Sequence, residues 1–113
     1  MQSKEEIKLV LDKLIGQKVL GLKYDFLNSN ISINFKNDVE ILFDDCLIVY
    51  DLGIVGAVIK DVSLSAGLGM VLEIKQFSDT ENYHYCTLSR GFNDLSEKRE
   101  IRLSFKKVQL IDD

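Results

Sequence analysis

His84 is the only histidine in the 113-residue chain, and Cys46 and Cys86 are its only thiols. Any chemistry that needs an imidazole therefore depends on one side chain. A Cys–His dyad would need His84 beside one of the two thiols, where it could take the thiol proton. His84 and Cys86 are two residues apart. On a strand they share a face, and Cys46 would complete a set of three metal-ligating groups. That spacing matches no zinc-site pattern, so a structural or interface histidine is the default reading. Gly67-Leu68-Gly69 lacks the third glycine, the lysine and the following helix of a phosphate cradle. It reads as a sheet bend. Asp44 and Asp45 are neighbours. On an extended chain their carboxylates point to opposite sides, so they do not form an acid–base pair and read as a solvated strand break. No catalytic residue, metal ligand or cofactor is assigned.

The residues better suited to chemistry are those that bind protein. Tyr83 and Tyr85 flank His84, with Asp79 and Glu81 just before them, and Tyr50 stands beside Asp51. Tyrosine joins apolar area to a hydroxyl, a combination favoured at interface anchors. The candidate partner-binding set is Asp44, Asp45, Tyr50, Asp51, Asp79, Glu81, Tyr83 and Tyr85. An acidic and aromatic face of this kind suits a basic partner. The alternative is that some of these tyrosines pack on a sheet face or in the core.

Charge is uneven along the chain. From Asn37 to Ile59 stand Asp38, Glu40, Asp44, Asp45 and Asp51 with no base, whereas Lys98 to Lys107 holds Lys98, Arg99, Arg102, Lys106 and Lys107 against Glu100. Such asymmetry steers a partner if the stretches form separate faces. It cancels if they lie side by side. The net charge of −4 argues against nucleic acid, whose binders carry a basic footprint.

These residues need elements to hold them. Val19 to Tyr50 alternates apolar and polar residues between Asn, Asp and Ser breaks, the pattern of a β-meander. Strands are expected near 18–26, 31–36, 39–43 and 46–50. The segment 54–60 reads as strand or buried irregular chain, and further strands are expected at 70–77, 83–88 and 99–110. Ahead of them, Ser3-Lys4-Glu5-Glu6 fits a helix capping box. Ile7, Val10, Leu11 and Leu14 then recur at helical spacing, widened by Leu9 and Ile15, up to Gly16. A helix over 3–15 is expected. The sum is one α+β domain over residues 1–113, with the N-terminal helix packed on a curved antiparallel β-sheet or half-open barrel of about seven strands. A two-sheet sandwich is the alternative. The charged start and the lack of a long apolar run give no export signal and no membrane span, and two unpaired thiols fit a cytoplasmic protein.

The run LIGQKVLGLKYDF…ISINF…VEILF, within residues 7–50 and after a short amphipathic helix, resembles small bacterial immunity proteins. These are antidotes of polymorphic or contact-dependent growth inhibition toxins. The resemblance implies a small, acidic, non-enzymatic protein that blocks a cognate toxin domain, with an acidic face for a basic nuclease. The alternatives are a structural subunit that forms a homodimer through an uncovered sheet edge, and a small enzyme that uses His84.

Overall fold

Ser3 sets the start of helix α1 (Lys4–Asp12). Its backbone is extended, and its hydroxyl oxygen accepts the Glu6 N–H at 3.1 Å. This satisfies one of the donors a helix leaves open in its first turn. The hydroxyl in turn donates to the Glu6 carboxylate at 3.3 Å. The computed structural model describes residues 2–36, 38–46, 48–64, 83–90 and 99–112.

Ile7, Leu11 and Leu14 are fully buried, as their shared face requires. Leu9 and Ile15 do not widen that stripe, being 67% and 48% exposed. The helix is shorter than its apolar rhythm suggests. After Asp12 the chain tightens into turns, and Gly16, at φ 89°, donates its N–H to Ile59 O at 2.7 Å. Glycine takes that left-handed conformation without a steric cost. Among the described residues no helix is long and apolar enough to cross a membrane.

The described strands are β1 (Val19–Asp25), β2 (Asn30–Phe35), β3 (Val39–Asp44), β4 (Ile48–Leu52), β5 (Asp61–Ser63), β6 (His84–Ser89), β7 (Glu100–Phe105) and β8 (Lys107–Asp112). All their pairings are antiparallel. The class is α+β, in line with the alternation. Where one curved sheet or half-open barrel of about seven strands was expected, these strands form two four-stranded sheets, ordered β1-β2-β3-β8 and β4-β7-β6-β5.

A corner divides the sheets. Asp44 pairs with Lys107 at the end of the first ladder and Ile48 with Ser104 at the start of the second. The β3–β4 side of the corner is one residue longer than the β7–β8 side, the signature of a bulge. Asp45 takes φ 53° there, a conformation Asp tolerates better than most residues. Lys106 N–H bonds to Asp44 O at 3.0 Å and Cys46 N–H to Ser29 O at 2.7 Å, fastening the bend. The strand expected over 99–110 is thus two strands in different sheets.

A second seam joins the sheets. Val19 N–H donates to Ala57 O at 2.9 Å, Gly56 N–H to Val19 O at 2.8 Å, and Lys60 N–H to Ser89 O at 2.9 Å. Residues 56–60 thereby tie the start of β1 to β6. The helix is pinned just before its start and at its middle. The Gln2 amide exchanges two 2.8 Å hydrogen bonds with the backbone of Val108, and Lys8 donates to Val62 O at 3.2 Å. Side chains from α1, both sheets and the 54–59 segment make one hydrophobic cluster. Phe43 and Phe105 meet edge to face in it at 4.9 Å.

Candidate protein-interaction site

β4 is the outermost of the described strands of the second sheet and carries the most accessible of the expected binding tyrosines. Tyr50 is 41% exposed and Leu52 50% exposed, and they share a face by strand alternation. Register places Tyr50 opposite Arg102, which lies opposite Thr87. The same face continues along β6 and β7 as cross-strand pairs: Tyr85 with Ser104, and Ser89 with Glu100. Beyond the ladder, the Lys106 ammonium sits 5.2 Å from the centroid of the half-buried Tyr83 ring, a cation–π contact. Glu100 is buried and holds Arg102 at 3.2 Å. The structure therefore brings Tyr50 and Tyr85 onto one face, on strands either side of β7 and offset by two residues along them, about 12 Å apart by sheet geometry.

The acids are distributed differently from the expectation. Antiparallel pairing lays the acidic stretch directly against the basic one: Asp44 faces Lys107, and β4 runs beside β7. Among the described residues the two stretches thus lie side by side at the corner and along β4, with Lys106 beside Tyr83 and Arg102 beside Tyr50, whereas Glu40 faces Ile111. Asp45 is exposed at the corner. Asp51 is exposed as well, but its carboxylate accepts the N–H groups of Gly53 and Ile54, each at 3.0 Å. It shapes the turn after β4. Arg99 holds the same turn from the other side, donating from Nε to Gly53 O at 2.7 Å and from Nη2 to Val55 O. Neither Arg99 nor Arg102 was singled out from the sequence as part of a site. Their pairing with β4 is non-local and leaves no local signal. Asp79, Glu81 and Gly67-Leu68-Gly69 lie outside the described residues.

The groups weighed for catalysis sit on the opposite, inward face. Cys46 and Cys86 are buried free thiols. Burial, opposed by the Ile31 backbone N–H and assisted by the charges of Asp44 and Asp45, pushes Cys46 up to about 12. Burial pushes Cys86 up as well. A thiol is nucleophilic as thiolate, so both are held in the inert form. Among the described residues no group of three His, Cys, Asp or Glu side chains could hold a metal ion. An open groove of about 650 Å³ between α1 and β5 is lined by Lys4, Glu5, Lys8, Leu9 and Val62 to Leu64. Its described lining holds no buried acid–base pair.

His84 is half-buried, its Nε2 has no hydrogen-bond partner, and its ring lies 6.0 Å from that of Phe105. Burial, and then the positive charge of Lys4, hold its pKa below the ordinary 6.5; a hydrogen bond with the Gln2 backbone opposes them. The neutral form is thus favoured on folding. The contribution of His84 to stability is fully present above pH ~6.5 and is lost as pH falls through its lower, folded value. Urea unfolding at pH 7.5 and pH 5 should show that loss, and His84→Phe should reduce it. An equal decline in the variant would remove His84 as the cause.

Compared with known proteins, the chain matches no family model, no curated protein and no solved structure.

Proposed function

We propose that this chain is a non-catalytic protein-binding module of the immunity-protein kind, which occupies and silences a cognate toxin domain in the cytoplasm. The observation that carries the reading lies on β4, the edge of the second sheet among the described strands. There an exposed tyrosine and leucine stand together, backed by Arg102 and followed by a fastened turn, while Glu100 and Ser104 on the same face are buried. Aromatic anchors on a rigid element supply contact area with little entropy left to lose. The inward placement of His84 and the raised thiols is consistent with a protein that binds without turnover. A basic partner, such as a nuclease, would meet Asp45 and the outer lobe of Asp51. Asp44, set against Lys107, contributes less.

The test is co-expression with the product of the neighbouring reading frame in a heterologous host. The neighbour alone should arrest growth, and this chain should restore it. Tyr50→Ala and Tyr85→Ala should each raise the dissociation constant of the purified complex by about 30-fold, the size of an interface hot spot. Two results would sink the reading: a neighbour that is harmless by itself, or a Tyr50→Ala/Tyr85→Ala double variant that protects as well as the native chain.

A further inference from the structure

β1 is the outermost strand of the first sheet, and beyond Val19 its free edge is paired with no described strand. The edge is apolar as well as open. Leu20 is 55% exposed, Tyr24 36%, and Phe26 and Leu27 at the hairpin tip 83% and 96%. The tip is ordered nonetheless. The Asp25 carboxylate accepts N–H bonds from Leu27 and Asn28 at 3.1 and 3.3 Å and from the Asn28 amide at 2.7 Å. Phe26 stacks on Tyr24, with ring centroids 4.4 Å apart. The register shifts once, between Val19 and Gly21, and is then regular through Asp25; an exposed apolar edge of this kind can template pairing with another strand, with a lysine tolerated where the partner strand brings an acid opposite it.

The sequence along this edge is complementary to itself. Consider two copies of β1 running antiparallel about a twofold axis at Tyr24. Lys23 of each copy then faces Asp25 of the other and Tyr24 faces Tyr24, while Leu22 comes level with Phe26 in the turn that follows the strand. The lysine–aspartate pairs fall on one face of the joined sheet and the apolar pairs on the other. Moving the axis to Lys23 opposes like charges. Moving it to Leu22 leaves Lys23 facing Gly21 and Asp25 facing Val19, whose backbone is already bonded to Gly56 and Ala57. One register alone satisfies both charge and packing.

We infer that a second copy of this chain is the partner of the β1 edge, giving a twofold dimer with a continuous sheet of β1-β2-β3-β8 from each copy and Tyr24 on the axis. Such an interface is isologous. It leaves β4, in the other sheet, open to a different protein.

Sedimentation equilibrium and thiol cross-linking test this directly. The native chain should move from the 12.9 kDa monomer toward twice that mass as concentration rises. Lys23→Asp should raise the dimer dissociation constant by about tenfold or more, since both symmetric ion pairs become repulsions. Under mild oxidation Tyr24→Cys should cross-link within the dimer, because facing Cα atoms of antiparallel strands lie about 4.5–5.5 Å apart, within the span of a disulfide. Asn34→Cys, one strand in, should not, and Cys46 and Cys86 are buried and give no background. A monomer mass at every concentration up to about 1 mM would overturn the inference. So would a dimer in which Tyr24→Cys cross-links no better than Asn34→Cys, since that dimer would use another face.

Discussion

Phe105→Ala should lower the unfolding free energy by about 3–5 kcal/mol. Phe105 is fully buried at the last position of β7, where the chain turns from one sheet into the other. Its ring meets Phe43 from the first sheet edge to face at 4.9 Å and lies near His84. The substitution removes the transfer free energy of the ring and leaves a hole that the corner cannot close, because backbone hydrogen bonds at Asp44 and Cys46 fix the bend. Domains of this size have total stabilities of roughly 5–15 kcal/mol, so the variant should stand near the limit of folding. Urea denaturation measures the loss. A double-mutant cycle with Phe43→Ala should return a coupling of about 0.5–1.5 kcal/mol. A loss below about 1 kcal/mol would mean that the two sheets do not share this core.

Native Cys46 should react with a thiol reagent about a thousandfold more slowly than a free thiol at the same pH. A rise from the ordinary 9.0 to about 12 leaves about a thousandth of the usual thiolate, and Cys46 is only 5% exposed. Cys86, fully buried on β6, should be slower still. Both should titrate promptly in denaturant. Because labelling then requires opening, its rate in native buffer reports the free energy of the local opening. Phe105→Ala should accelerate both thiols, about tenfold for each 1.4 kcal/mol it removes from the opening free energy. Fast labelling of either thiol in the native protein would contradict the packing of the corner.

Much of the fold was written in local patterns. The Ser3 to Glu6 cap and the 7–11–14 spacing mark α1, and the alternation through Ile31–Phe35 and Val39–Phe43 marks two central strands and their buried faces. The corner was legible too, in a form easily passed over. Inward residues run Ile101, Leu103, Phe105 and then Val108 and Leu110, so the period of two slips by one residue at Lys106. A strand that changes phase must bulge or turn. Strand order was not legible, because β3 with β8 and β4 with β7 are distant in sequence. Whether the two charged stretches steer a partner or cancel was left open for that reason. Two stretches opposite in sign were adjacent in space, and no count along the chain shows adjacency. At the candidate site, Tyr50 was identifiable by type. The turn-forming use of Asp51 and the support from Arg99 and Arg102 depend on tertiary pairing.

The sheet order β1-β2-β3-β8 also dictates a sequence of events on the ribosome. The meander of β1, β2 and β3 can close as soon as residue 44 has emerged, since its hairpins are local. The remaining neighbour of β3 is translated more than sixty residues later. At about 5–20 residues per second the nascent meander waits roughly 3–13 s with that flank uncovered. During the wait, Ile41 and Phe43 lack the chain that will bury them. Completion of the first sheet is thus limited by delivery of β8, the last strand to be translated.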